Sequence, residues 1–217
     1  MNLKVISYYC DVDESKYYEK SYLRLKDQLD RYGYDYHIEN LDSLGSYKEN
    51  CRRKVGFIID KFHEFEENIL WLDVDTNLLN PMSQVEIISE DNNLDVDIMF
   101  ASGVPELIGI KASPIWFKNN ERSYDFLLHW KNAIDNSREQ NHENFDHEVL
   151  FKTVAETTSY CKFGLLGYEY CTWPGTVNEN TVIEMGLSDV ESKKDSLRKM
   201  GFDEDKIEWQ SVGLTND

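Results

Sequence analysis

Residues Ile69–Pro81 read ILWLDVDTNLLNP, and the fold turns on this stretch. Asn68–Leu72 (NILWL) is short and very apolar, the pattern of a buried strand in a parallel sheet. It stops abruptly at Asp73-Val74-Asp75. Ligands of open α/β sheets bind beyond the carboxyl ends of the strands, where these two carboxylates are expected. Carboxylates at alternate positions face one side in extended geometry. Their hard oxygens suit Mg2+ or Mn2+. An ion held by Asp73 and Asp75 would bridge the two phosphates of a nucleoside diphosphate and neutralise charge on a leaving phosphate. Such Asp pairs also occur as ordinary solvated turn residues. The context here is a buried strand running straight into the pair, with Asn77 and Pro81 closing a turn behind it.

Upstream, Leu3–Tyr9 (LKVISYY) is apolar and β-branched and reads as a buried first strand. Ser15–Tyr32 carries Tyr18, Tyr22, Leu25 and Leu29 at helical spacing, with Gly33 as terminator. Tyr34–Leu41 alternates as a second strand, and Asn50–Phe65 carries the helical stripe Val55, Ile58, Ile59 and Phe62. Strand, helix, strand, helix, strand predicts an α/β fold with a mainly parallel, Rossmann-like central sheet flanked by crossover helices. Downstream, Val96–Ala101 and Gly109–Phe117 read as strands, and Tyr124–Ile134 as a helix with Phe126, Leu127, Trp130 and Ile134 on one side. Asn144–Thr153 reads as a further helix start, Tyr160–Leu166 and Tyr168–Thr172 as strand-like, and the chain from Val190 as a charged, helical tail.

The 217 residues fit a single domain, with a first half over about 1–80, a second over about 95–185 and the tail over about 188–217. The 41% hydrophobic and 13% aromatic content supports a packed core and argues against disorder. With 23 basic against 41 acidic residues the formal charge is −18, which repels nucleic acid and anionic lipid. A phosphorylated ligand would therefore need a local cation, either a metal ion or a basic cluster. Cys10, Cys51, Cys161 and Cys171 are far apart and contain no C-x-x-C pair, which argues against zinc and for reduced thiols in the cytoplasm. Met1–Cys10 lacks the basic start and long apolar run of a signal peptide. No run approaches the roughly 20 apolar residues of a membrane span.

The densest basic cluster is Asn50-Cys51-Arg52-Arg53-Lys54, at the start of the second helix. Helix N-termini favour acidic residues, so the placement opposes local stability unless an anion docks there. The alternative is that Arg52, Arg53 and Lys54 pair with the plentiful surface acids.

Taken together, Ser7–Tyr9, Asn50–Ile58 (NCRRKVGFI) and Leu70–Asp75 (LWLDVD) resemble the GT-A nucleotide-diphospho-sugar glycosyltransferases. The likeness is to a small bacterial and large-DNA-virus type that includes a chlorella virus glycosyltransferase domain, and it covers most of residues 3–152. It implies a hexosyltransferase using Mn2+ or Mg2+, a nucleotide-sugar donor with UDP favoured over GDP, and a hydroxyl of a glycan as acceptor. Tyr8, Tyr9 and Cys10 would line the nucleoside pocket, with ordinary packing as the alternative for the tyrosines. Asn50 and Lys54 would contact nucleotide or phosphate. Asp73 would face ribose or donor sugar and share the metal with Asp75, its direct ligand. Ala112–Trp116 would run beside the donor sugar, with Trp116 either facing a sugar ring or buried in the core. Phe145–Leu150 resembles the family's Asp-Gln-x-x-Leu helix start. This makes Asp146 the acidic group near the chemistry and Glu148 its reserve, either able to act as general base. Asp146 could equally be a helix N-cap.

The departures are specific. The family's Lys-Pro is Lys54-Val55, and Met185 stands about where a late metal-binding histidine is expected. The third ligand could then be water, Asp189 or another carboxylate, and Lys193 and Lys194 could approach the diphosphate. Two rival readings remain. A haloacid-dehalogenase-like phosphatase also places Asp-x-Asp after a buried strand, but here Thr76-Asn77 is out of register by one residue. A non-catalytic nucleotide-sugar binding module would bind the donor without turning it over.

Overall fold

The computed structural model describes residues 3–11, 16–102, 109–139, 146–186, 195, 198–199 and 201. Its first half follows the expected order: β1 (Leu3–Tyr9), α1 (Tyr17–Tyr32), β2 (Tyr36–Asn40), α2 (Tyr47–Arg52), α3 (Lys54–Phe65) and β3 (Asn68–Trp71). Then come β4 (Asn77–Leu78), α4 (Ser83–Glu90), β5 (Ile98–Ser102), β6 (Ile110–Phe117), α5 (Glu121–Glu139), α6 (Asp146–Thr157), β7 (Phe163–Leu166) and β8 (Ile183–Glu184). Six strands form the central sheet in the order β2-β1-β3-β6-β5-β7, while β4 and β8 pair separately. Strand β1 runs parallel to β2 and β3, and β5 parallel to β7. Only β6 is reversed, lying antiparallel to both β3 and β5. The sheet is thus mainly parallel.

Adjacent residues of each inner strand feed different cores, because successive side chains leave opposite faces. Ile6, Ile69, Trp71, Ile115 and Phe117 pack with Val55, Ile58 and Phe62 of α3 and with Phe126, Leu127 and Trp130 of α5. Val5, Leu70, Leu72 and Trp116 face the other way, against Leu25 and Leu29 of α1. This two-sided cover is why NILWL is apolar at nearly every position. Trp116 is fully buried and its indole N–H donates to Ser89 Oγ at 2.8 Å, so it belongs to the core and offers no face to a sugar.

Helix α1 also holds the segment after β3. Gln28 donates through Nε2 to Asn77 Oδ1 and accepts the Leu78 N–H at 2.8 Å. Tyr32 donates to the Leu79 carbonyl at 2.7 Å, and Asn77 donates to Glu184 Oε2 at 2.9 Å. These side chains lock the chain leaving β3 against α1 and the small β4–β8 sheet.

Several local readings need correction. The helix expected over Asn50–Phe65 is two helices that meet at Arg53, the first capped by Ser46, whose Oγ accepts the Glu49 N–H at 3.2 Å. Tyr168–Thr172 is not a strand: Tyr168–Tyr170 forms a 3-10 turn. Tyr168 is exposed and Tyr170 buried, whereas two residues that far apart in a strand would share one face. Helix α4 and the two-residue strands β4 and β8 were not anticipated. Nearly all of the expected tail lies outside the described residues, as do Asp189, Lys193 and Lys194.

Candidate functional site

A cavity of about 580 Å3 opens where β1 and β3 end and β6 begins. Tyr8, Tyr9 and Cys10 reach it from β1, Asn50 and Lys54 from α2 and α3, Asp73 and Asp75 from the turn after β3, and Asp146 from the start of α6. These eight residues, expected at the site from the sequence, are therefore brought together, whereas Glu148 is exposed and outside the lining. At about 100° per helical residue, positions two apart point to nearly opposite sides, so burying Asp146 turns Glu148 outward.

The turn corrects one geometric expectation. The Thr76 N–H donates to the Asp73 carbonyl at 3.1 Å, so Asp73-Val74-Asp75 bends instead of continuing extended. Asp73 is anchored on both ends: its N–H donates to Ser113 Oγ at 2.8 Å, and its Oδ1 accepts the Trp71 indole N–H at 2.9 Å. Asp75 is half-buried and makes no hydrogen bond or ion pair among the described residues, which leaves its carboxylate available to the cavity.

Lys54 organises the floor. Its ammonium lies 3.0 Å from Asp73 Oδ1 and 2.7 Å from Asp146 Oδ2, and donates to the Ala112 carbonyl at 3.3 Å. Burial opposes its charge, but the Asp146 and Asp73 carboxylates outweigh it and hold the ammonium well above the ordinary lysine range. Burial likewise works against an ionised Asp146, yet Lys54, with help from His147, depresses that carboxyl to about 2. Asp73 moves the other way: burial raises it, and repulsion from Asp75 and Asp146 adds to burial against the pull of Lys54. Asp146 is kept in place by Trp130, whose indole N–H donates to its carbonyl at 3.0 Å.

This arrangement predicts a pH dependence. A carboxyl depressed in the folded state contributes stability above its unfolded value of about 4, and that stability disappears as pH falls through about 2. Asp146→Asn is expected to cost about 2–3 kcal/mol at pH 6. The gap between mutant and wild-type urea midpoints should close as the pH approaches 2. A gap that stays constant with pH would exclude the Lys54 pair as its source. Asp73 has the opposite sign, its ionisation costing stability as pH rises.

Other assigned residues are already engaged. Tyr8 donates to the Asn50 carbonyl at 2.5 Å and packs edge-on to Phe57 with ring centroids 5.2 Å apart. Tyr9 stacks on Tyr22 at 5.0 Å. Their ring faces serve protein packing, while Tyr18 and Tyr47, neither assigned to the site from sequence, stand at the cavity wall. The Asn50 side chain accepts the Leu44 N–H at 2.7 Å and donates to Ser43 Oγ, tying down the preceding loop. Cys10 has its thiol raised by burial. The basic cluster divides: Arg52 pairs with Glu49 at 2.7 Å, Arg53 donates to the Asp42 carbonyl at 2.6 Å, and of the three cations only Lys54 lines the cavity. Met185 also lines the wall, as do Lys111, His147 and Trp173, three residues the sequence analysis did not assign to the site.

Among the described residues no group of three or more acidic, histidine or cysteine side chains is placed to hold a metal. The donor set nevertheless fits a hard cation completed by its ligand: Mg2+-type sites often use one or two carboxylates, substrate phosphates and water. Met185 lies in the cavity where the resemblance places a histidine, and its soft thioether does not suit such an ion.

No protein-family profile matches this chain, and no curated protein does so. Solved structures do. The glycosyltransferase involved in glycosylating the major capsid of PBCV-1 superposes with a TM-score of 0.66 at 12% identity, covering 91% of this chain and 98% of that one. The apo-form glycosyltransferase GlyE of Streptococcus pneumoniae TIGR4 has a TM-score of 0.50 at 13% identity, covering 79% of this chain and 46% of its own. At these identities the likeness establishes the fold, which is the GT-A type. Among the described residues no helix is long and apolar enough to cross a membrane.

Proposed function

We propose that the protein is a metal-dependent glycosyltransferase that moves a sugar from a nucleoside-diphosphate sugar, UDP favoured, to a hydroxyl of a glycan acceptor. The observation that carries this reading is the convergence of Asp73, Asp75, Lys54 and Asp146 on one cavity at the carboxyl edge of a GT-A sheet. In this reading Asp75 and Asp73 hold Mn2+ or Mg2+. The ion, when bound, neutralises charge on the departing diphosphate. Lys54 fixes the two aspartates that flank the sugar.

The state of Asp146 refines its role. A carboxyl held at about 2 is a weak proton acceptor at neutral pH, because efficient general bases sit near the working pH. Asp146 is better suited to accept hydrogen bonds from sugar hydroxyls and to present a fixed negative charge to positive charge developing at the sugar. The phosphatase alternative needs the first aspartate free as nucleophile, whereas Asp73 Oδ1 is held by both Lys54 and Trp71.

The test is calorimetric titration of UDP and GDP, each with and without Mn2+. Binding of UDP that requires Mn2+ is the expected result, and preference for GDP would change the nucleotide while keeping the class. No binding of either with metal present would reject the assignment. Robust turnover of a chromogenic phosphate ester would replace it with the phosphatase reading.

A further inference from the structure

The cavity walls carry three acids and few cations. Lys54 is committed to Asp73 and Asp146, and His147 Nδ1 lies 3.7 Å from Asp146 Oδ1. Lys111 differs. It sits on β6 next to Ala112, whose carbonyl touches Lys54, and it lines the same cavity. Among the described residues it has no carboxylate partner, and its ammonium lies 5.4 Å over the Trp173 ring. An aromatic face stabilises a cation without neutralising it. Among the described residues the lysine is therefore not committed to a carboxylate and faces the cavity.

Resting on the glycosyltransferase reading, we propose that Lys111 and Trp173 form a subsite for a carboxylate-bearing sugar, a uronate, beside the reacting bond. A carboxylate elsewhere in the cavity would meet Asp73, Asp75 or Asp146 and be repelled. One ammonium balances a singly charged carboxylate, while a dianionic sugar phosphate would leave excess negative charge in a site already rich in it. The uronate could be the donor's own sugar or part of the acceptor; the recognising chemistry is the same.

Two titration series separate these sources. In the first, UDP, UDP-glucose and UDP-glucuronate are titrated with Mn2+ into wild type, Lys111→Met and Lys111→Arg. In the second, methyl glucuronide and methyl glucoside are titrated with and without saturating UDP and Mn2+. The expected result is about 10-fold tighter binding of the uronate in one series, the size of one charge-assisted hydrogen bond. Lys111→Met should abolish that preference and Lys111→Arg retain most of it, with UDP affinity and melting temperature unchanged. Equal binding of uronate and neutral sugar in both series overturns the inference. So does a loss of UDP affinity in Lys111→Met as large as the loss for UDP-glucuronate, because Lys111 would then serve the diphosphate. If UDP fails to bind wild type, the function proposed above falls. The nucleotide-free glycosides then still decide the subsite by whether the uronate is preferred and Lys111→Met abolishes the preference.

Discussion

Lys54→Met is expected to destabilise the fold by about 3–5 kcal/mol, the cost of removing one partner from a buried ion pair. Lys54 is 7% exposed and Asp146 is 3% exposed. Methionine fills much of the lysine volume, so the loss would come from two carboxylates left without their cation. Its pH dependence identifies the cause. Without Lys54, burial raises both carboxyls above their unfolded values of about 4. A group raised on folding is most compatible with the fold below its unfolded value and least so as pH rises. The mutant should therefore lag wild type little near pH 3 and most near pH 7, measured by urea denaturation. Adding Asp73→Asn and Asp146→Asn should recover much of the loss at pH 7. A penalty independent of pH, or no recovery, would show that packing and not charge pairing is what Lys54 supplies.

Asp75→Asn should act on binding and spare stability. Asp75 is half-buried with no hydrogen bond or ion pair among the described residues, so the fold should change by no more than about 0.5 kcal/mol. Its proposed role as direct metal ligand predicts a loss of Mn2+-dependent UDP affinity of about 100-fold or more, about 2.7 kcal/mol. Chelating the metal from wild type should reproduce the mutant, and the mutant should gain nothing from added Mn2+. Asp73→Asn is the less informative variant, because it also disturbs Lys54 and Trp71. Wild-type affinity in Asp75→Asn, with Mn2+ still required, would place the ion elsewhere.

The likeness to known folds was carried by sequence features that are local. Predominantly apolar runs at Leu3–Tyr9 and Asn68–Leu72 announced buried strands, and helical stripes between them announced the crossovers. That Asp73 and Asp75 stand at the carboxyl edge followed directly from the place where the apolar run stops. Two-residue strands such as β4 and β8 were illegible, because so short a segment has no period to detect. At Tyr168–Tyr170 the residue types Tyr-Glu-Tyr alternate as in a strand, but the segment is a 3-10 turn that exposes Tyr168 and buries Tyr170.

The wiring of the site was decided in three dimensions. The resemblance singles out Lys54 from its basic cluster as a phosphate contact, but nothing near it in the chain tells that its partners are Asp73 and Asp146. The choice of Asp146 over Glu148 depends on the phase of α6 against the sheet, which Trp130 on α5 sets through its bond to the Asp146 carbonyl. Tyr8 and Tyr9 are packed by Phe57 and Tyr22, while Lys111 meets Trp173 across the cavity. The sequence by itself determined the long strands of the central sheet, the main crossover helices and the two acids at a strand end, since hydrophobic periodicity is written residue by residue. The tertiary structure alone decided which charges neutralise one another and which stay free, because that depends on distances between segments remote in the chain.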